Sequence, residues 1–474
     1  MENQVENKNI LIHLAADEIE KLKAEIEMLR GEKDYLEAKL KRKIKEELGV
    51  AEEDEEKDSE NLDTVDAQPN RKRGAPKGHR GATRKKLDQV DRIVDVYPEK
   101  CPRCGSADLT PAAEVTEHIQ EDIVLPRVAV TVFRHHHAYC RICRQVVCNF
   151  AEDEIRGAYI GPVARATAGY LRYGVKLSYG TVRKILKGLF GLNITESALV
   201  GFDNSLCEKG LPLYEVLKEK LRYSDVSYID ETGWRKGPER LWLWVMTNPG
   251  LALYHIDQSR GSKVPRTFLG EKYPGIIVSD FFSAYGPLVA KGKGKCATHL
   301  MRTARDLGDD MPKNERVQAF CSNLLETMKS GLDAYKAFHS GKITRQDLSG
   351  EREKISGKLN RLTEARQENR ETENLRERIV KHHDEILAFL DHPEIEPTNN
   401  RAERQLRPNV IMRKLTFGNR SDQGIRNHCV IMSLLETAKL NDQDPRTLLL
   451  YMVKNGANGN AVQMMFGSAG PRAP

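Results

Sequence analysis

Three acidic side chains have the type and placement for metal-assisted phosphoryl chemistry. Asp230 comes late in the run VSYIDETGW with Glu231 directly after it, Asp280 ends the run GIIVSD, and Glu403 lies in the first turn of the helical segment NNRAERQLRP. Carboxylate oxygens are the hard ligands that Mg²⁺ takes. Two such ions roughly 4 Å apart activate an attacking oxygen and stabilise a leaving one. A mixed sheet with carboxylates on two strand ends, and a helix carrying a third, can gather them at one point. Each residue also has an ordinary structural role. Asp230 could start the turn before Gly233, and Asp280 could be the N-cap of a helix over FSAYGPL. Asn400-x-x-Glu403 is close to a capping box, in which the glutamate reaches back to the Asn400 N–H. Among 69 acidic residues the pattern by itself does not select three.

A second constellation is sulfur-based. CPRC (Cys101, Cys104) is followed after 35 residues by CRIC (Cys140, Cys143). Two CxxC knuckles on hairpins make the tetrahedral thiolate cage that Zn²⁺ prefers, and four sulfur ligands leave no open position, so the zinc is structural. Cys148 and the run His135-His136-His137 are substitutes for a missing ligand. The chain has nine cysteines, an odd number, and paired CxxC spacing points to metal before disulfide.

The elements that must position these groups follow from periodicity and turn chemistry. VSYIDETGW, RLWLWVMTN and ALYHIDQ read as three consecutive strands, and GIIVSDFFSAYG as a fourth. KCATHLMRTARDL passes from strand into helix. Residues 313–392 are almost entirely charged helix. EPTNNRAERQLRPNV is expected to be a short helix stopped by Pro408. HCVIMSLLETAKLND and DPRTLLLYMVKN are the last helices expected. Upstream, TEHIQEDIVLPRVAVTVFRHHHAYC reads as strands. Helix starts fall at Gly161-Pro162, Ser178 and Thr195, and short helices joined by glycine-containing turns fit a helix-turn-helix or, equally by pattern, an ordinary three-helix spacer. Tyr179, Thr181, Arg183 and Lys184 would then lie near the start of a groove-entering helix.

The N-terminal part is built differently. Ile12, Ala15, Ile19, Leu22, Ile26, Leu29, Leu36 and Leu40 recur at steps of three and four, with Lys33 filling the gap. Ile mostly at a and Leu mostly at d predict a parallel two-stranded coiled coil, so the chain is expected to pair with a second copy. Residues 51–69 are an acidic linker. The stretch 71–86 (RKRGAPKGHRGATRKK) carries eight Lys/Arg in sixteen positions: Arg71, Lys72, Arg73, Lys77, Arg80, Arg84, Lys85 and Lys86. Such an arm follows phosphates or reaches into a minor groove, or serves as a solvated linker.

Charge agrees with a polyanionic partner. Residues 1–69 carry 11 Lys+Arg and 21 Asp+Glu, hence −10, and the rest carries 64 and 48, hence +16, summing to the net +6. Hydrophobic residues make up 39%, too many for a disordered chain. No run approaches the roughly 18 apolar residues of a membrane helix. The start MENQVENKNI is not a secretory signal, so a cytoplasmic, nucleoid-associated protein is expected.

YIDETGWR, VSDFFSAY, TNNRAERQLRP and SLLETAKLN resemble the transposases of the insertion sequence sixty-six family, bacterial DDE enzymes with a ribonuclease-H-like core. The order of parts is similar too: zipper-like helix, basic spacer with PKGHRG, CxxC…CxxC domain, helical segment, catalytic core. The similarity runs from about residue 10 to about 455. It implies that Asp230, Asp280 and Glu403 are a catalytic triad holding two Mg²⁺ or Mn²⁺ ions. It also implies that the charged helices are an insertion between Asp280 and Glu403, and that small accessory proteins encoded beside the gene take part. One motif departs from the family. Its Cys-Trp-x-His-x-Arg run stands here as Cys296-Ala297-Thr298-His299-Leu300-Met301-Arg302, without the tryptophan and with the arginine respaced.

The expected architecture is therefore α/β: coiled-coil helix 1–50, linker 51–95, β-rich zinc ribbon 96–157, helical segment 158–222, and a ribonuclease-H-like mixed-sheet core 223–465. The core carries a helical insertion at about 309–395, and a disordered tail, 466–474, follows it. The expected function is a DNA transposase that binds terminal inverted repeats and catalyses strand cleavage and transfer. Arg401, Arg404 and Arg407 would contact phosphates, with Arg407 also placed to pair with Glu403, and His299, Arg302 and Asn400 are auxiliary candidates. The alternatives are a catalytically silent zinc-ribbon regulator and a structure-specific nuclease with the same core.

Overall fold

A computed structural model describes residues 127–467, with 33, 93–95, 99, 103, 105–107 and 110 besides. The chain divides into two units, residues 41–124 and the remainder, and every element named below belongs to the second. The coiled-coil seam (Lys33 apart), the acidic linker, the basic arm 71–86, Cys101, Cys104 and residues 468–474 lie outside the described residues.

The first described element is a hairpin of β1 (Ala138–Cys140) and β2 (Gln145–Val147). The longer strands expected upstream do not form over 127–137, where Val130 and Val132 are exposed. Among the described residues no neighbouring strand takes up their backbone groups, and a strand without a partner is not stable in water.

Three helices follow where their caps predict them. α1 (Pro162–Gly169) starts with Pro162 in its first turn, α2 (Tyr179–Phe190) is capped by the Ser178 hydroxyl accepting from Thr181 N–H, and α3 (Glu196–Arg222) by Thr195 accepting from Ala198 N–H. A π-helical turn, Tyr170–Gly174, links the first two. α3 is far longer than a recognition helix needs. Leu206, Leu213, Leu217 and Leu221 bury one stripe of it in the main core, so the helical segment shares that core rather than standing alone.

The sheet is five-stranded and mixed. β3 (Val226–Lys236), β4 (Glu239–Asn248) and β5 (Leu251–Asp257) form an antiparallel meander. After α4 (Lys263–Leu269), β6 (Tyr273–Ser279) pairs parallel to β3, and β7 (Ala290–Lys295) parallel to β6. The spatial order is β5-β4-β3-β6-β7. Val245, Met246, Leu253 and Tyr254 are fully buried, because helices cover the sheet.

α5 (Ala297–Asp310) leaves β7 directly. Four more helices follow it before Glu403: α6 (Glu315–His339), α7 (Arg345–Glu364), α8 (Arg370–Lys381) and α9 (His383–Asp391). α9 packs on β7. α10 (Asn400–Thr416) lies against β3 and β4. α11 (Asp422–Leu440), buried continuously from Asn427 to Ala438, packs between β5 and α3, followed by α12 (Pro445–Asn455) and α13 (Gly459–Phe466).

α10 corrects one expectation: it runs through Pro408 to Thr416 instead of stopping there. Proline removes one ladder bond and crowds the preceding turn. Burial of Leu406, Asn409 and Met412 against the sheet outweighs that cost. The Gln405 carbonyl beside the proline accepts from the Tyr254 hydroxyl at 2.8 Å and from Asn409 Nδ2 at 3.2 Å.

Candidate active site

Strand register brings the first two carboxylates level. In the parallel pair β3/β6, Val226, Ser227 and Tyr228 stand opposite Ile276, Ile277 and Val278. Asp230 and Asp280 each lie two residues past the last of these pairs. They therefore sit at the same height on adjacent strands and on the same face, on strands about 4.8 Å apart. The Asp230 carboxylate accepts its neighbour's N–H, from Glu231 at 2.9 Å, and Asp280 Oδ1 accepts from Phe282 N–H at 2.9 Å. Neither fills the role of a cap for a regular helix: β3 continues to Lys236, and the short 3₁₀ turn after Asp280 begins at Ser283 with no side-chain cap.

Glu403 is brought in by a hydrogen-bonded clamp around the start of α10. Asn399, the N-cap, is fully buried, and its Nδ2 donates to the Ile229 carbonyl at 2.9 Å, one residue before Asp230. Its backbone N–H donates to the Cys296 sulfur at 3.1 Å. Cys296 N–H donates in turn to the Ser279 carbonyl, one residue before Asp280, at 3.0 Å, and Ala297 N–H to the Pro397 carbonyl at 2.9 Å. Buried Lys295 donates to the Asp280 carbonyl at 2.7 Å and to the Ser279 hydroxyl at 3.1 Å. Glu403 does not close a capping box, since α10 has no side-chain cap. Nor does it pair with Arg407; its neighbour is the His299 ring, with Nδ1 3.7 Å from Oε1.

The electrostatics agree with convergence. Burial pushes the Asp230 carboxyl up to about 8, helped by the charges of Glu231, Asp280 and Glu403, while the Glu231 N–H opposes the shift. A divalent cation beside Asp230 would relieve that cost of ionisation, and the carboxylate oxygens of Asp230, Asp280 and Glu403 are donors that suit Mg²⁺ or Mn²⁺. His299 Nδ1 is buried with no hydrogen-bond partner. Cys296, His299 and Glu403 offer ligand atoms within 4.8 Å of one another, the only such threesome among the described residues.

Glu231 serves the other face of the sheet. Its side chain is 2% exposed and accepts from Arg260 Nε at 2.9 Å and from the Tyr285 hydroxyl. Arg260 in turn lies over the rings of Trp242 and Phe282, at 4.3 and 4.0 Å. This cluster pins the segment after Asp280 to β3. Sequence reasoning passed over Asn399, Lys295 and Arg260. Asn399 was the most readable, as the first Asn of TNN at a helix start; the tie is made by Asn399, not by Asn400.

The remaining candidates divide by exposure. Arg183 and Lys184 are exposed on α2, with Arg183 Nε 3.8 Å from Glu196 Oε1. Tyr179, expected beside them, points inward and donates to buried Asp203 at 2.5 Å. Arg404 and Arg407 are exposed on α10, and Arg302 on α5. Arg401 is turned away from solvent, ion-paired with Glu396 and 5.5 Å from the Tyr228 ring, so it is not free to take a phosphate. Cys140 closes β1 and Cys143 lies in the following turn, where Arg144 adopts φ 56. Hydrogen bonds from Cys143 hold the Cys140 thiol below its ordinary value. Cys148 is half-buried just past β2, and His135 is engaged with Glu154 at 2.7 Å.

The fold is a mixed five-stranded sheet covered by helices, with Asp230 and Asp280 level on adjacent parallel strands and Glu403 on a helix tied to the first of them, and sequence comparison places the chain. The model of the family described as "Transposase IS66 family" matches residues 157–427, more than half of the chain and inclusive of all three carboxylates, and the chain belongs to that family. Relatives come from Sinorhizobium fredii (strain NBRC 101917 / NGR234). Uncharacterized protein y4hP is 24% identical over 402 residues, covering 76% of this chain and 71% of its own. Uncharacterized protein y4jD is 24% identical over 431 residues, covering 83% of each. Uncharacterized protein y4qI is 26% identical over 342 residues, covering 63% of this chain and 57% of its own. No helix among the described residues is long and apolar enough to cross a membrane.

Proposed function

We propose that this chain is a DDE-type DNA transposase with a ribonuclease-H-like core, in which Asp230, Asp280 and Glu403 form the catalytic triad. The observation that carries the reading is the level register of Asp230 and Asp280, joined to Glu403 by Asn399. The strand order β5-β4-β3-β6-β7, with β4 antiparallel to the rest, supports the fold assignment.

Asp230 and Asp280 would hold one divalent ion and Asp230 with Glu403 a second. Bound there, Mg²⁺ or Mn²⁺ supplies an activated attacking oxygen and neutralises charge on the leaving one. The chain's own residues set the geometry. Lys295 fixes the Asp280 backbone, and Asn399 fixes the helix of Glu403. His299, with an unpartnered Nδ1 beside Glu403, is placed to bond a phosphate oxygen. Water first attacks the phosphodiester at the element end, breaking the P–O3′ bond and leaving a 3′-hydroxyl. That hydroxyl then attacks a target phosphodiester, forming the new bond and releasing the target's own 3′-hydroxyl. No covalent protein–DNA intermediate arises, so no serine or tyrosine nucleophile is required.

Arg404 and Arg407, the basic arm 71–86, and Arg183 with Lys184 would hold the DNA. Cys101, Cys104, Cys140 and Cys143 would hold a structural Zn²⁺, and residues 10–48 would pair two subunits, one per element end. Accessory proteins encoded by the same element would join them. The test is cleavage of duplexes carrying the inverted repeats that flank the gene, with Mg²⁺ present. A transposase cuts these ends, and Glu403→Gln abolishes cutting and strand transfer while end binding persists. Binding without cutting by the unaltered chain identifies a regulator, and cutting only of branched DNA identifies a junction nuclease.

A further inference from the structure

The helix that carries Glu403 ends in a residue whose conformation costs energy and whose burial returns little. Phe417 takes φ 59, ψ 23, in the left-handed region that favours glycine, yet the residue is 80% exposed. Glycine is the usual solution at this place in a helix C-cap, and one follows immediately at Gly418. The segment is held firmly. Phe417 N–H donates to the Arg413 carbonyl at 2.8 Å, and Asn419 N–H to the Arg235 carbonyl at 2.9 Å. Trp234 Nε1 donates to Asn419 Oδ1 at 2.8 Å, and Gly237 N–H to the Asn419 carbonyl at 2.9 Å. A Cβ at Gly418 would meet the Arg235 carbonyl oxygen at 2.3 Å, so the backbone is seated tightly on the end of β3. An exposed aromatic ring on so rigid a pedestal is built to touch something other than this chain.

Charge identifies what it touches. Between Glu403 and Asp422 there are five basic residues and no acidic one. Of these, Arg404, Arg407, Lys414 and Arg420 are exposed, without an ion-pair partner among the described residues. Arg404, Arg407, Ile411 and Lys414 recur at helical spacing on one face, so a polyanion aligned with that face reaches Phe417 after passing Glu403. Fourteen residues at about 1.5 Å each put Phe417 about 21 Å from Glu403 along the helix, or about six steps of duplex DNA.

We propose that Phe417 is a wedge that inserts into the element-end duplex about six base pairs from the cleaved phosphate, unstacking one step and fixing the register of the end in the active site. Apolar side chains that enter between base steps act this way on duplex DNA. The inference rests on the reading of the chain as a transposase and adds to it a DNA contact that supplies no catalytic group.

The test uses the full-length protein and terminal-repeat duplexes with 2-aminopurine placed singly at positions four to eight from the cleaved end. Ca²⁺ is present so that binding occurs without turnover. The expected result is a several-fold fluorescence rise confined to one or two adjacent positions near the sixth. Phe417→Ala abolishes the rise while gel-shift affinity stays within about threefold, and Phe417→Trp retains it. Phe417→Gly loses the rise but melts at a temperature no lower than the unaltered chain, because the strain is relieved. Bound, cleavable DNA without a fluorescence rise at any position overturns the wedge and leaves the transposase reading standing. So does a rise that survives Phe417→Ala. Conversion of a dimer to monomers by Phe417→Ala overturns it in favour of a subunit contact. Failure of the unaltered protein to bind the repeats removes both readings together.

Discussion

The side-chain amide of Asn399 donates to the backbone carbonyl of Ile229 across 170 positions of sequence, and so ties the start of the Glu403 helix to the strand residue before Asp230. Both groups are buried. Asn399 is therefore a positioning residue. Replacing it with alanine leaves the Ile229 carbonyl without that donor, at a cost of about 1–3 kcal/mol. Asn399→Ala is expected to lower the melting temperature by several degrees and to slow end cleavage more than it weakens end binding. Asn400→Ala, one position on, is expected to alter neither; equal effects of the two would remove Asn399 from its role.

The Asp230 carboxyl makes stability depend on pH. Its value in the folded chain is about 8, against about 3.9 for an ordinary aspartate. Between these values the folded chain keeps a proton that the unfolded chain has lost. Stability from this group is therefore greatest below about pH 4, falls as pH rises toward 8, and is flat above. Asp230→Asn removes the penalty. In metal-free buffer the variant is expected to melt a few degrees above the unaltered protein at pH 8, with the gap closing toward pH 5. A gap that widens at acid pH would show that burial and the neighbouring carboxylates do not raise Asp230 in this way.

Arg404 and Arg407 are expected to act through phosphates and without sequence preference. Each phosphate contact adds about 0.9 to the slope of log K against log salt concentration on duplex DNA. The double variant Arg404→Ala, Arg407→Ala should flatten that slope by nearly 2 on repeat and on unrelated duplexes alike. Arg401→Ala should leave the slope unchanged and destabilise the fold, because its guanidinium pairs with Glu396. A slope that responds to Arg401 and ignores the other two would reverse the assignment.

Much of the core was legible in the sequence because its elements have strong local signals. The four strand runs are dense in β-branched and aromatic residues, and the Ser178 and Thr195 caps precede amphipathic stretches. Pro408 misled because its cost is local while the burial that outweighs it is not: Leu406 and Met412 gain their partners from strands far upstream. Residues 127–137 misled in the opposite way, since alternation marks a strand only when a second strand exists to pair with it. That Asp230, Asp280 and Glu403 act together was suggested by resemblance, but the clamp of Asn399, Cys296 and Lys295 depends on long-range register that no local pattern carries.

The central claim is that Asp230, Asp280 and Glu403 hold the reacting phosphate through divalent ions. Anomalous diffraction from crystals of the chain with a pre-cleaved repeat end and Mn²⁺ tests it most directly. Two peaks are expected, one between Asp230 and Asp280 and the other between Asp230 and Glu403, both lost in Asp230→Asn. A single peak held by Cys296, His299 and Glu403, with cleavage intact in Asp230→Asn, would contradict the account.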